Sequence, residues 1–411
     1  MNSKELKTRP VPAPRLRFPG FKGEWEEKTG GQLFNQISNK KHNSDLPILA
    51  ITQDKGAVPR SEIDYHVSVT NESVDSYKVV EVDDFIISLR SFQGGIEYSR
   101  YKGICSPAYI ILRATKEVAT GYFQHYFKYA GFVKDLTKNL EGLRDGKMIS
   151  YKQFSEVPIP LPPTLPEQTR IAAALSSLDA VIAAHQNRQD ALRQHKRGLM
   201  VGLFPAEGER VPRLRFPEFE GAGEWEVKTV GQVSTSFSGG TPSTSNREYY
   251  GGRIPFIRSA EIASESTELF LTESGLANSA AKMVDKGDLL VALYGANSGE
   301  TGISRIRGAI NQAILCIRPK TDTRFMYQFL AHSKDRIIAL YIQGGQGNLS
   351  GEIIKSVKIP IPPLPSEQTR IAAALSSLDD LITAQGENIV ALQEFKRGLM
   401  QGLFPATGRE E

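Results

Sequence analysis

The sequence predicts an α+β chain: two globular domains joined by two long antiparallel coiled-coil helices, built as a pseudo-twofold internal repeat. Three observations predict it. First, EQTRIAAALSSLD at 167–179 returns unchanged at 367–379, KRGLM at 196–200 returns at 396–400, and GLFPA at 202–206 returns at 402–406. Identity this long at one fixed offset is the mark of a duplicated unit. Second, within each copy apolar residues recur in the alternating four-three spacing of a heptad seam. Third, between the repeated segments the two halves share only a faint skeleton of short apolar runs bounded by glycine or polar turns, the pattern of mixed domains with short strands.

Each half opens on RLRFP, at 15–19 and at 213–217, followed by Gly23-Glu24-Trp25 and Gly223-Glu224-Trp225, so both tryptophans of the chain sit in this element. In the first variable region, residues 83–89 and 108–113 read as strands and 122–136 as helical. In the second, residues 287–294 and 313–318 are the strand-like runs, and 325–342 has helical spacing. VDDFIISLRSFQGG at 82–95 can be laid against KGDLLVALYGANSG at 286–299. The proline-rich lead-ins VPIPLPPTLPEQ (157–168) and VKIPIPPLPSEQ (357–368) precede the helices.

The seam runs through Ile171, Leu175, Leu178, Ile182, Leu192 and Leu199, and again through Ile371, Leu375, Leu378, Ile382, Ile389, Leu392 and Leu399. Pro166 and Pro365 close the extended lead-ins, Glu167 and Glu367 place a carboxylate in the first turn, and Pro205 and Pro405 stop the helices. Lys196-Arg197 and Lys396-Arg397 are expected in the last turns, where cations suit the helix dipole. His185, Gln189 and Gln385 interrupt the seam, either to specify register or partner or because the pair splays there. At about 36 residues, each helix would be roughly 54 Å long at ~1.5 Å per residue, a length of about 16 base pairs of duplex at ~3.4 Å each. The expected boundaries are a first domain with its N-terminal arm at 1–157, a first connector at 158–206, a second domain at 207–357, and a second connector with the C-terminal tail at 358–411.

Composition narrows the function. The 411 residues carry 50 Lys and Arg against 46 Asp and Glu, a net charge of only +4, so any nucleic-acid contact must come from local basic patches. Two cysteines, Cys105 and Cys316, offer no disulfide framework and no zinc cluster, which fits a reducing compartment. No stretch approaches a membrane span, and the proline-bearing, charged start is unlike a signal peptide, so a cytoplasmic location is expected.

Candidate DNA-facing residues lie in polar loops. In the first domain they are Lys40, Lys41, Lys55, Arg60, Arg90, Arg100, Lys102, Arg144 and Lys147. In the second they are Thr241, Ser243, Asn246, Arg247, Tyr249, Tyr250, Arg253, Arg258, Tyr294, Asn297, Gln346 and Asn348. Glycine lets a backbone approach phosphates, and arginine or asparagine can pair in bidentate fashion with guanine or adenine edges. Ordinary turns and solvated faces explain the same residue types equally well. His42, His66, His125 and His332 lack partners at ligand spacing and read as structural or surface residues, and no metal site is expected. Methyltransferase, nuclease, phosphate-loop and serine-hydrolase motifs are missing, so no catalytic residue is assigned. From the residues alone, a two-headed coiled-coil protein adaptor that never touches DNA remains the alternative.

The whole pattern resembles the specificity subunits of type I restriction-modification systems. The resemblance is carried by the doubled Pro-Leu/Ile-Pro-Pro segments with Glu167-Gln168 and Glu367-Gln368, the helices running to Phe204-Pro205 and Phe404-Pro405, and the Gly-Glu-Trp openings. In the second variable region Gly239-Gly-Thr-Pro-Ser243, Ile254-Pro-Phe256, Leu293-Tyr-Gly-Ala296 and Asn311-Gln312 also look like that family's target-recognition domains. The first region departs from it: Ser91-Phe-Gln-Gly stands at the Tyr-Gly-Ala turn, and Ser106-Pro107-Ala108 near the Asn-Gln position. The resemblance implies a non-catalytic DNA-reading subunit, each domain reading one half of a bipartite asymmetric target. It further implies two docked modification subunits that hold S-adenosylmethionine and methylate adenine, and restriction subunits that use ATP and magnesium. This chain itself would hold no cofactor.

Overall fold

The computed structural model describes residues 10–11, 13–42, 45–63, 74–88, 96–138, 149–342 and 349–405. The chain divides into two units, Met1–His185 with Asn388–Glu411, and Gln186–Glu387. Each unit therefore takes one globular domain, the opening part of one connector helix and the closing part of the other.

In the first unit the strands are β1 (Trp25–Thr29), β2 (Phe34–Ile37), β3 (Leu49–Thr52), β4 (Gly56–Pro59), β5 (Lys78–Val80), β6 (Phe85–Ile87), β7 (Glu97–Tyr98), β8 (Gly103–Cys105), β9 (Ile110–Ala114) and β10 (Pro158–Leu161). They form a sheet of order β2-β9-β6-β7, the pairs β3-β4 and β5-β8, and a three-stranded root sheet in which β1 lies between β10 and the two-residue strand Pro10–Val11, antiparallel to both. Helices α1 (Thr120–Tyr126), α2 (Ala130–Lys138) and α3 (Tyr151–Ser155) pack with it, and a single helical turn, Gly30–Leu33, joins β1 to β2. The helical stretch expected at 122–136 is thus two helices. A tight turn breaks it, with the Lys128 N–H donating to His125 O and the Tyr129 N–H to Tyr126 O, both at 3.0 Å. The turn lets Phe127 and Phe132 both enter the core, with ring centroids 4.9 Å apart. Phe34 sits at its centre, edge-on to Phe85, Phe123 and Phe154.

The second unit repeats this plan with β11 (Glu226–Thr229), β12 (Ser234–Ser238), β13 (Tyr250–Ile257), β14 (Phe270–Leu271), β15 (Lys282–Val284), β16 (Leu289–Ala292), β17 (Thr301–Ile303), β18 (Gly308–Ile310), β19 (Ile314–Pro319) and β20 (Lys358–Ile361), together with α4 (Glu273–Ala277), α5 (Thr323–Ile342) and α6 (Gly351–Ser356). The sheets have the orders β12-β19-β16-β17, β14-β13-β18-β15 and β11-β20. Hydrogen bonds expose an equivalence that the diverged sequences hide. Arg113 grips Asp84 through two bonds of 2.8 Å, and Arg318 grips Asp288 at 2.9 and 2.7 Å. In both domains the aspartate also accepts a backbone N–H three residues upstream, from Glu81 at 2.8 Å and from Asp285 at 2.9 Å. Ser106 accepts from the Ala108 N–H as Asn311 accepts from the Ala313 N–H. The first domain's departure at this position is therefore a serine doing the turn-closing work of an asparagine.

The connector helices span Leu165–Leu203 and Pro365–Leu403, 39 residues each, against about 36 expected. Every expected seam residue is buried or half-buried. The seam is more than a helix-helix contact: Ile171 and Leu175 join Met400, Leu403 and Phe404 in the first domain's core, and Ile371 and Leu375 join Met200, Leu203 and Phe204 in the second's. Gln189 donates to Ile382 O at 3.0 Å, so this polar interruption is a cross-helix bond rather than a splayed gap. One expectation needs correction. Lys196 and Lys396 do not occupy the last turns, because the helices continue to Leu203 and Leu403. They instead bind Asp379 at 2.6 Å and Asp179 at 2.5 Å on the facing helix, which fixes an antiparallel register within each unit.

Candidate nucleic-acid interface

The repeated sequence elements converge, in each unit, on one clasp. Arg17 makes a bidentate pair with Glu167 at 2.7 and 2.8 Å and donates to Gly23 O at 2.6 Å. Arg215 does the same with Glu367, both bonds at 2.8 Å, and with Gly223 O at 2.9 Å. Next to each arginine, the Leu16 N–H donates to Gly402 O at 2.8 Å and the Leu214 N–H to Gly202 O at 2.9 Å. Gly202 and Gly402 are required there, since a Cβ would overlap the leucine side chain. Phe18 lies under Arg170 and Phe216 under Arg370. The glutamine of each Glu-Gln pair reaches the domain, Gln168 accepting from the Ala119 N–H at 2.8 Å and Gln368 from the Asp322 N–H at 3.3 Å. RLRFP, Glu-Gln and the GLF ending thus staple the start of one connector helix, the end of the other and the domain root together.

The two clasps differ at one titratable position. His125, 3% exposed, lies 2.9 Å from Ser176 Oγ and 3.6 Å from Asp179, which also holds Lys396. The second unit has Gln328 in this role, donating to Asp379 at 2.7 Å beside Lys196. Burial, then the Lys396 charge, push His125 down to about 4, with Arg100 adding to the push and Asp179 opposing it. The unfolded chain then binds the extra proton between pH ~6.5 and ~4, so stability falls as pH drops through that window. We expect a loss of about 2 kcal/mol between pH 7 and pH 5, read by urea unfolding. His125→Gln should remove that part of the slope. An unchanged slope in the variant would show that other groups carry it.

Of the expected contact residues in the first domain, Lys40 and Lys41 are exposed on the loop after β2. Arg60 is half-buried and opens a short turn, and Lys102 pairs with Glu81 at 3.0 Å. Lys55 and Arg100 are brought together on a cleft of about 730 Å³, walled by the β3-β4 hairpin turn, β7, α1 and both connector helices of that unit. Sequence reasoning missed its other cations, Lys128, Lys396 and Arg397. Lys128 is bound to Glu97 at 2.6 Å, a carboxyl that burial pushes upward against the lysine's pull. Burial and a hydrogen bond to Asp83 push the neighbouring Tyr98 phenol up to about 12. Arg90, Arg144, Lys147, Gln346 and Asn348 lie outside the described residues, as does His66.

In the second domain many expected contact groups serve the fold. Thr241 Oγ1 donates to Gln312 at 2.7 Å, Asn246 accepts from the Glu248 N–H, and the Tyr250 hydroxyl donates to Pro242 O at 2.7 Å. Ser243 Oγ is 2.7 Å from Ser245 Oγ. Arg258 is held by Glu261 at 3.0 Å and Glu268 at 2.6 Å. Against the upward push of burial, these bonds hold Glu261 down at about 2. The Gly239 N–H donates to Asn311 O and the Leu293 N–H to Ala313 O. The three motifs beginning at Gly239, Leu293 and Asn311 therefore meet at one end of the β12-β19-β16 sheet and build its turns. Of the other expected contact residues of this domain, Arg247, Arg253 and Tyr294 are exposed, while Tyr249 and Asn297 are half-exposed. Among the described residues no group of three or more His, Cys, Asp or Glu could hold a metal ion, and no helix is long and apolar enough to cross a membrane.

This architecture, two diverged α+β domains on a duplicated helical clasp, has relatives. The model of the type I restriction modification DNA specificity domain matches the chain twice, over residues 22–194 and 222–393. The type I restriction enzyme MjaVIII specificity subunit of Methanocaldococcus jannaschii is 24% identical over 416 residues, covering 95% of this chain and 93% of that one. Among solved structures, the S subunit of a type I restriction-modification system from M. genitalium matches with a TM-score of 0.61 at 15% identity, covering 97% of this chain and all of that one. A chain from a structure of type I system assembly and conformational transition matches with a TM-score of 0.55 at 18% identity, covering 95% of this chain. The chain belongs to the type I restriction-modification DNA specificity family, a family of non-catalytic specificity subunits.

Proposed function

We propose that this chain reads a bipartite, asymmetric DNA sequence, the first domain recognising one half and the second domain the other, within a type I restriction-modification complex. The observation that supports this best is the contrast between two near-identical clasps and two domains whose exposed loops share almost nothing. Identical connectors suit two copies of one partner, and diverged loops suit two different half-sites. The working boundaries are those of the sequence: domains at 1–157 and 207–357, connectors at 158–206 and 358–411. Two modification subunits would dock on the connectors, carry S-adenosylmethionine and methylate adenine in each half-site. Restriction subunits using ATP and magnesium would join that core, in the cytoplasm.

In the first domain Lys40, Lys41, Lys55 and Arg100 are the proposed backbone contacts. The cleft adds Arg397 from the second connector. With few net charges in the chain, much of the grip on the duplex falls to the partners. The test is binding of the reconstituted complex to duplex fragments across a salt series, together with sequencing of the methylated adenines. Affinity should fall steeply with salt, and the methylated motif should be split. Salt-independent binding, or methylation without a split motif, would refute the proposal.

A further inference from the structure

The second domain has a reading arginine set in place by a strand defect. In the β13-β14 ladder Tyr250 and Ile254 both face Leu271, so the residues between them are extruded as a bulge. Bulges re-aim side chains. Gly252 is packed so tightly on Leu271 O that any Cβ would overlap it. The flanks are anchored as well: the Tyr250 hydroxyl on Pro242 O at 2.7 Å, and Tyr249 O by the Thr272 N–H at 3.0 Å.

The residue this bulge turns outward is Arg253. Four other arginines of the domain are neutralised. Arg258 is bound by Glu261 and Glu268, Arg305 by Glu265, Arg307 by Asp285, and Arg318 by Asp285 and Asp288. Arg247 and Arg253 are exposed and carry no ion pair or side-chain hydrogen bond among the described residues; Arg213 and Arg324 are alike in this, but of the four only Arg253 lies in the bulge. The first domain supplies a comparison. Ile48 bridges Ile104 in parallel as Phe256 pairs with Ala309 in parallel, which places Leu46-Pro47-Ile48 on Ile254-Pro255-Phe256 and Asp45 on Arg253. The shared proline and apolar residues keep the strand, while the position before them changes sign between the two readers.

Resting on the DNA-reading function, we infer that Arg253 reads a guanine in the half-site of the second domain and that Arg247 anchors a neighbouring phosphate. An exposed guanidinium on a bulge with anchored flanks can present its fork to guanine O6 and N7, and lysine cannot reproduce that bidentate geometry. Arg247, on the short turn Arg247–Tyr249, has no such fixed aim.

The test uses the full chain reconstituted with its modification subunits. Arg253→Ala should relax one guanine of one half-site, cutting its preference roughly tenfold to a hundredfold. Arg253→Lys should recover only part of it. Arg247→Ala should weaken binding to all sequences alike and lower the salt slope by about 1. Arg324→Ala, at the domain root beside Asp322, should change neither. If the wild-type complex methylates a split motif and Arg253→Ala leaves every position unchanged, the inference fails and the DNA-reading function stands. A wild-type complex with no split motif overturns both.

Discussion

Glu367→Ala is expected to destabilise the second unit by about 3–5 kcal/mol, the cost of stranding a buried arginine without its partner. Glu367 is 1% exposed and Arg215 only 10%, and the two meet through two parallel N–H···O bonds along one guanidinium edge. Removing the carboxylate leaves Arg215 with Gly223 O alone, in a site closed by Phe216 stacked under Arg370. The pair need not be worth that much in itself. Desolvation offsets most of its attraction, so Arg215→Met with Glu367→Leu should recover most of the loss. The first unit gives an internal control: Arg17 is 20% exposed, so water can partly replace Glu167, and Glu167→Ala should cost less than Glu367→Ala. Urea unfolding of the four proteins decides. A Glu367→Ala loss below about 1 kcal/mol, or a double variant no better than the single one, would mean that the clasp is held by packing.

The clasp also shows what the sequence could and could not reveal. The repeat and the heptads were legible because they rest on spacing, and spacing survives without knowledge of any contact. Their meaning was partly hidden. Glu167 and Glu367 read as dipole-compensating first-turn residues, whereas each is consumed by an arginine some 150 residues upstream. Lys196 and Lys396 read as helix-end cations for the same local reason and proved to be cross-helix partners. Long-range pairing leaves no mark in a local window. In the second domain the Gly239, Leu293 and Asn311 motifs were recognisable, yet their polar groups close turns against each other. The surface they leave free, Arg247 and Arg253, carries no pattern of its own. The connector cations of the cleft were hidden for the opposite reason, since a lysine or arginine on a long helix looks like any solvated face.

Exchanging residues 230–357 for the matching segment of a relative with a different target should change one half of the methylated motif and leave the other half untouched. The splice follows the fold. β11 pairs with β20 from Glu226 against Ile361 to Thr229 against Lys358, and just inside this ladder the Val230 N–H donates to Val357 O at 2.9 Å. Cutting there keeps both root strands, the Arg215–Glu367 clasp and the buried Trp225 with the host chain. What crosses the splice is apolar packing, Phe325 on Phe204 at 5.4 Å and on Trp225 at 6.0 Å and Phe329 on Phe204 at 5.6 Å, together with two polar bonds, Gln328 to Asp379 at 2.7 Å and the Asp322 N–H to Gln368 at 3.3 Å. A donor with large apolar residues at the positions of Phe325 and Phe329 should fold, while one with small residues leaves a cavity costing about 3–5 kcal/mol per lost phenylalanine. The first domain keeps its own root ladder, with the Gly30 N–H on Val157 O at 3.0 Å, and shares none of the exchanged residues. Its half-site should therefore persist letter for letter. Sequencing of methylated adenines reads both halves at once, and a change in both halves, or in neither, would show that the two readers are not independent modules.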